Sequence, residues 1–168
     1  MISPTIGICQ TCETRPFVAL IILYIREERF MKLEHVAIWT HQLECLKDFY
    51  AHYFGGIPND KYVSEDKSNI GFESYFLSFT SGARLELMKL PRIPQGDNGK
   101  GFESTGLTHI AFSVDMANEL DALYNRLKGD GVVVVAKPHM TGDGYYEACV
   151  LDPDGNRVEI TVTPGCSW

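Results

Sequence analysis

The sequence predicts an α+β fold of two βαβββ modules, forming a mixed β-sheet with helices on its outer face. Three observations predict it. The order strand, helix, strand, hairpin runs through 33–90 and starts again at 107. Leu33-Glu34-His35-Val36-Ala37-Ile38 is matched by Leu107-Thr108-His109-Ile110-Ala111-Phe112. Gly82-Ala83-Arg84-Leu85-Glu86-Leu87 is matched by Gly155-Asn156-Arg157-Val158-Glu159-Ile160. The step from His to Glu is 51 positions in the first copy and 50 in the second, as a duplicated unit requires.

The elements follow from pattern. Residues 33–40 alternate as a strand. Residues 43–54 have helical spacing, with Leu43, Leu46, Phe49, Tyr50 and Tyr53 on one side, and Gly55-Gly56 ends the run. Residues 57–63 read as a short strand and 64–69 as a polar loop. Residues 71–79 and 83–90 form a hairpin around Thr80-Ser81-Gly82. In the second copy, 107–114 is a strand, 117–127 a helix and 132–136 a strand. The closing hairpin is 145–151 with 157–162, joined by the turn residues Asp152-Pro153-Asp154-Gly155.

The modules are expected at 31–91 and 106–164, with a linker at 92–105. Residues 1–30 repeat nowhere, and their charges cancel, three basic against three acidic. They are expected to be an extension outside the natural domain, with Met31 as the natural start. Arg26-Glu27-Glu28-Arg29 can be encoded by a purine-rich run, as a bacterial ribosome-binding site would be. Cys9-Gln10-Thr11-Cys12 is a C-x-x-C, but one pair lacks the two further ligands of a structural zinc site.

Composition narrows the function. The 168 residues suit one domain or two small halves sharing a core. The net charge of −7 and the lack of a basic cluster argue against nucleic acid and anionic membrane as partners. The longest apolar run, 17–25, is far short of the ~20 residues of a helical span. Five cysteines without a regular framework predict reduced thiols and a cytoplasmic protein.

The closing strand poses the chemical question. Val158, Ile160 and Val162 share one face, and Arg157, Glu159 and Thr161 the other. A carboxylate there needs a counter-charge, since an unpaired buried one costs about 3–5 kcal/mol. On the first strand of each copy, His35, Ala37 and Trp39, then His109, Ala111 and Ser113, face away from the helix. Each module thus presents one His and one Glu on its open face. An approximate two-fold relation between the halves lets His35, Glu86, His109 and Glu159 converge on one cation. Alternatively, Arg84 and Arg157 pair the glutamates and no metal is held. His41, His52 and His139 have no counterpart and read as solvated. Two imidazoles and two carboxylates favour one divalent transition metal, Ni²⁺, Zn²⁺, Co²⁺, Mn²⁺ or Fe²⁺. On an ion that accepts six ligands, such a set leaves two positions for substrate oxygens, so it can polarise a carbonyl. A glutamate ligand can then take a proton from the neighbouring carbon.

The L-x-H-[VI]-A opening of both halves, the D-P-D-G-N-R-V-E-I ending and the duplication resemble the vicinal oxygen chelate superfamily. This group holds glyoxalase I, bleomycin-resistance proteins and extradiol dioxygenases. The set His35, Glu86, His109 and Glu159 is similar to that of glyoxalase I. The resemblance implies a metal-dependent lyase or isomerase acting beside a carbonyl, with Glu159 and Glu86 as both ligands and acid/base groups. It also implies a homodimer and a small-molecule substrate, such as a hemithioacetal. Substrate-contacting candidates are Trp39, Met88, Ser113, Tyr145, Arg84 and Arg157, with the segment 141–147 at the cavity rim. Two positions depart from glyoxalase I. Trp39 and Leu90 stand where an arginine and an asparagine usually help hold glutathione, so the resemblance does not carry glutathione over. The alternatives are a metal-free binding protein of the bleomycin-resistance type and another metalloenzyme of the superfamily, such as a dioxygenase, epimerase or thiol transferase.

Overall fold

A computed structural model describes residues 31–96 and 105–162. The chain divides into a unit of 1–32 and a unit of 33–168, and all the secondary structure among the described residues belongs to the second. The extension 1–30 with Cys9 and Cys12, most of the linker, and Cys166 lie outside the described residues.

The first module is β1 (His35–Trp39), α1 (Leu43–Phe54), β2 (Ile57–Pro58), β3 (Tyr62–Val63), β4 (Glu73–Ser78) and β5 (Arg84–Lys89). The second is β6 (His109–Val114), α2 (Ala117–Gly129), β7 (Val134–Met140), β8 (Tyr146–Leu151) and β9 (Arg157–Val162). Each builds its own mixed sheet. The orders are β1-β5-β4-β2, with β3 also on β4, and β6-β9-β8-β7. The first strand of each module pairs in parallel with its last, β1 with β5 and β6 with β9. A parallel pair needs a crossover, and the helix supplies it.

Local chemistry sets the boundaries. Helix α1 ends where Gly55 takes a left-handed φ of 68° and returns its N–H to the carbonyl of Tyr50. Helix α2 starts where the Glu119 carboxylate accepts from the backbone N–H groups of Asp115 and Met116, both at 3.1 Å. Two expectations are corrected. The strand expected at 57–63 is two short pieces, each paired antiparallel with β4. The strand expected at 132–136 runs instead over Val134–Met140, through Pro138. Proline is tolerated there because β7 is an edge strand with irregular register.

The helix-facing sides of both modules share one core. Leu46, Tyr50, Leu77 and Leu87 of the first join Leu120, Leu127, Val158 and Ile160 of the second. Burying each such side chain contributes about 1.5–3 kcal/mol. Tilted rings continue it, with Phe54 and Phe112 centroids 4.6 Å apart. The two remaining sheet faces therefore point away from the common core. This alternation is visible on β1 and β6, where every second residue is exposed.

Candidate metal-binding half-sites

The open face of each module carries one His–Glu pair. In β1 and β5, Ala37 stands opposite Glu86, and His35 opposite Arg84. In β6 and β9, Ala111 stands opposite Glu159, and His109 opposite Arg157. The small alanines let the His and Glu lean toward each other along the diagonal. The Nε2 of His35 lies 3.7 Å from Oε2 of Glu86, and the Nε2 of His109 lies 3.5 Å from Oε2 of Glu159. The carboxylates are mostly covered, with side chains 16% and 18% exposed, while the imidazoles are 40% and 43% exposed.

The His109–Glu159 separation is that of two ligands on one ion, and His35–Glu86 stands 0.2 Å wider. Donors bound to a cation at about 2.0–2.2 Å stand roughly 3.0–3.5 Å apart. Two imidazole nitrogens and two carboxylate oxygens suit a borderline divalent ion. The four groups do not meet within one chain. Among the described residues, no three His, Cys, Asp or Glu side chains come together as a metal cluster. The physical reason is the shared core, which turns the two open faces away from each other.

Electrostatics separate the halves. Burial raises the pKa of the Glu159 carboxyl, and the neighbouring Glu147 carboxylate raises it further. The Nε2 of His139 in turn lies 4.0 Å from Oε1 of Glu147. Cys149 stands opposite Glu159, and its thiol pKa is raised by burial. In the first module the corresponding place opposite Glu86 is Phe76.

The substrate-contacting candidates scatter more widely. Trp39 stands opposite Met88 on the open face, 42% exposed, with its ring against Phe72. Ser113 stands on the open face of β6, opposite Thr161. Tyr145 closes the 141–145 turn by donating its N–H to Thr141 Oγ1 at 2.9 Å. Arg84 does not pair with Glu86. Its guanidinium bonds Glu34 and lies over the Phe76 ring, 4.2 Å from the centroid. His52 is not simply solvated either, since it bonds Arg126 of α2. Leu90 is in the core, 4% exposed.

Sequence reasoning missed Glu34, Phe76, Glu147 and Cys149 as neighbours of the two pairs. Strand alternation places Glu147 and Cys149 on the face of Glu159 once the β8–β9 register is known. Glu34 carried no signal, because its counterpart in the repeat is Thr108. An apolar cleft of about 390 Å³ is lined by Val36, Phe54, Phe79 and Phe112 among others, and two of the substrate-contacting candidates, Arg84 and Ser113, line it too. None of the four His and Glu residues lines it.

Two βαβββ modules with a repeated His–Glu pair define a duplicated α+β protein. The profile of the Glyoxalase/Bleomycin resistance protein/Dioxygenase superfamily matches residues 32–160, and the chain belongs to that superfamily. No curated protein matches it significantly in sequence. Among solved structures, it is similar to a glyoxalase family protein from Bacillus cereus, with TM-score 0.68 and 15% identity over 83% of this chain and 98% of that one. It is also similar to a glyoxalase I mutant from Zea mays, with TM-score 0.66 and 21% identity over 87% of this chain and 50% of that one. A lactoylglutathione lyase from Agrobacterium tumefaciens gives TM-score 0.55 and 21% identity over 79% and 94%. These likenesses establish the fold.

Proposed function

We propose that this chain is a glyoxalase I-like, metal-dependent lyase or isomerase, and that a second copy of the chain completes each site. The observation that carries the reading is the repeated pair. His35 with Glu86 and His109 with Glu159 take the same places on two open faces, at nearly the same separation. A symmetric dimer that lays the first open face of one copy on the second open face of the other brings four ligands together twice. One divalent transition ion per site, Ni²⁺, Zn²⁺, Co²⁺, Mn²⁺ or Fe²⁺, supplies Lewis-acid polarisation of a substrate carbonyl when bound.

The chain's own groups do the proton work. Glu159 holds a proton more tightly than an exposed carboxylate, because it is buried and stands beside Glu147. That suits it to take a proton from a carbon next to a carbonyl. Glu86, in the matching place, is the group to return it. Trp39 and Met88 offer an apolar wall for the substrate's organic part. The substrate class is a hemithioacetal or related α-hydroxycarbonyl adduct, handled in the cytoplasm. Glutathione itself is not assigned: Trp39 offers no cation, and Leu90 is buried.

One observation favours a second reading. The exposed rings of Trp39 and Tyr62 flank the half-buried ring of Phe72, each with its centroid 6.1 Å from that of Phe72. A metal-free binder that stacks planar ligands uses such a surface. Metal analysis of protein purified without a chelating tag separates the two. About one transition ion per chain is expected, with loss of that ion and of proton exchange in Glu86→Gln at unchanged circular dichroism. Metal-free protein that binds aromatic ligands overturns the lyase reading.

A further inference from the structure

We infer that Glu34 is a positioning residue that presents His35 Nε2 to a metal ion, a role that rests on the metal-binding reading above. Glu34 precedes His35 directly, and its Oε2 contacts the Nδ1 of His35. A carboxylate is acceptor-only when ionised, so the proton of the neutral imidazole sits on Nδ1. Nε2 then carries the lone pair, and Nε2 is the atom that faces Glu86. Metal-ligating histidines are commonly fixed this way, by a partner on the other ring nitrogen.

Glu34 is itself held. The Nε of Arg84 donates to Glu34 Oε1 at 2.7 Å, and Nη2 bonds the same oxygen. The backbone repeats the link, with the N–H of Arg84 donating to the carbonyl of Glu34 at 2.9 Å. Phe76 completes the clamp. Its ring meets the His35 ring edge-on at 5.4 Å and lies under the Arg84 guanidinium. His35 is thus restrained by a carboxylate on one nitrogen and by an aromatic wall.

The second module serves as an internal control. Thr108 replaces Glu34, and Cys149 stands where Phe76 does, so His109 lacks both parts of the clamp. The two half-sites are therefore unequal. In the first half-site the imidazole is held before an ion arrives.

The test uses the full chain with Glu34→Ala and Glu34→Gln. Long-range ¹⁵N–¹H correlation spectra of the metal-free protein at mildly alkaline pH report each histidine tautomer. His35 is expected in the Nδ1–H form in the parent. Glu34→Ala should shift it toward Nε2–H, while Glu34→Gln, whose side-chain oxygen still accepts, should largely keep it. His109 should not change. Competition with a chromophoric chelator for Zn²⁺ should show about 10–100-fold weaker binding in Glu34→Ala and a smaller loss in Glu34→Gln. A His35 tautomer unchanged in Glu34→Ala overturns the positioning role, whether or not Zn²⁺ binds. A parent protein that binds no Zn²⁺ yet shows the tautomer shift overturns the metal reading and leaves Glu34 as the group that sets the ring.

Discussion

Tyr50 donates its hydroxyl to the carboxylate of Asp152 at 2.9 Å, tying α1 of the first module to the turn before β9 in the second. Both residues are buried, at 0% and 5% exposure. Asp152 also accepts from the N–H groups of Asp154 and Asn156 and from Asn156 Nδ2. The D-P-D-G-N run therefore organises its own turn and anchors the helix of the other module. Tyr50→Phe keeps the packing and removes one donor to a well-served carboxylate. A loss of about 1–2 kcal/mol is expected in urea denaturation. An unchanged midpoint would show that the link contributes nothing between modules.

The same carboxylate gives a pH signature. Burial raises the pKa of Asp152 above its ordinary value of 3.8, and outweighs the donors around it, which lower it. The folded state then binds more protons than the unfolded chain in the window just above 3.8. Stability linked to this group is highest below that value. It falls as pH rises through the folded pKa, then levels off. Asp152→Asn should remove this falling component. Denaturation series from pH 3.5 to 7 on both proteins check it, and parallel curves would count against it.

Subunit mixing tests where the site lies. His35→Ala leaves the second half-site intact, and His109→Ala leaves the first. If each site takes one half from each copy, a purified heterodimer of the two variants regains one complete site of its two. About one Zn²⁺ per heterodimer is expected by elemental analysis, with little in either variant homodimer. A heterodimer as empty as the homodimers sinks the shared site.

Gly155 closes the turn that sets the register of β9. Its φ is 83°, a left-handed conformation that a side chain disfavours. Gly155→Ala should cost about 1–2 kcal/mol. Because Glu159 lies four residues on, metal affinity should weaken as well. Thermal denaturation and chelator competition read the two effects separately, and a wild-type melting temperature contradicts the strain argument.

Much of this was legible in the residues. The period-two alternation of 35–39 and 109–114, the helical spacing of 43–54 and the Asp-Pro-Asp-Gly turn are local properties. The chain shows them before it folds. Duplication added the pairing of His35 with Glu86 and of His109 with Glu159, because equal spacing in a repeated unit puts like residues in like places. The strand around Pro138 was harder, since edge position is a property of the sheet and not of the peptide.

Tertiary structure decided what the pairs face. Whether two open faces meet within a chain or turn outward depends on which surfaces share a core. Apolar burial is non-directional, so the pattern shows that a face is buried without saying against what. Here Tyr50, Phe54 and Phe112 join the helix sides of both modules, and the His–Glu faces point outward. The clamp of Glu34 on His35 is likewise a product of folding. Arg84 reaches Glu34 only because β5 lies parallel to β1 in this register.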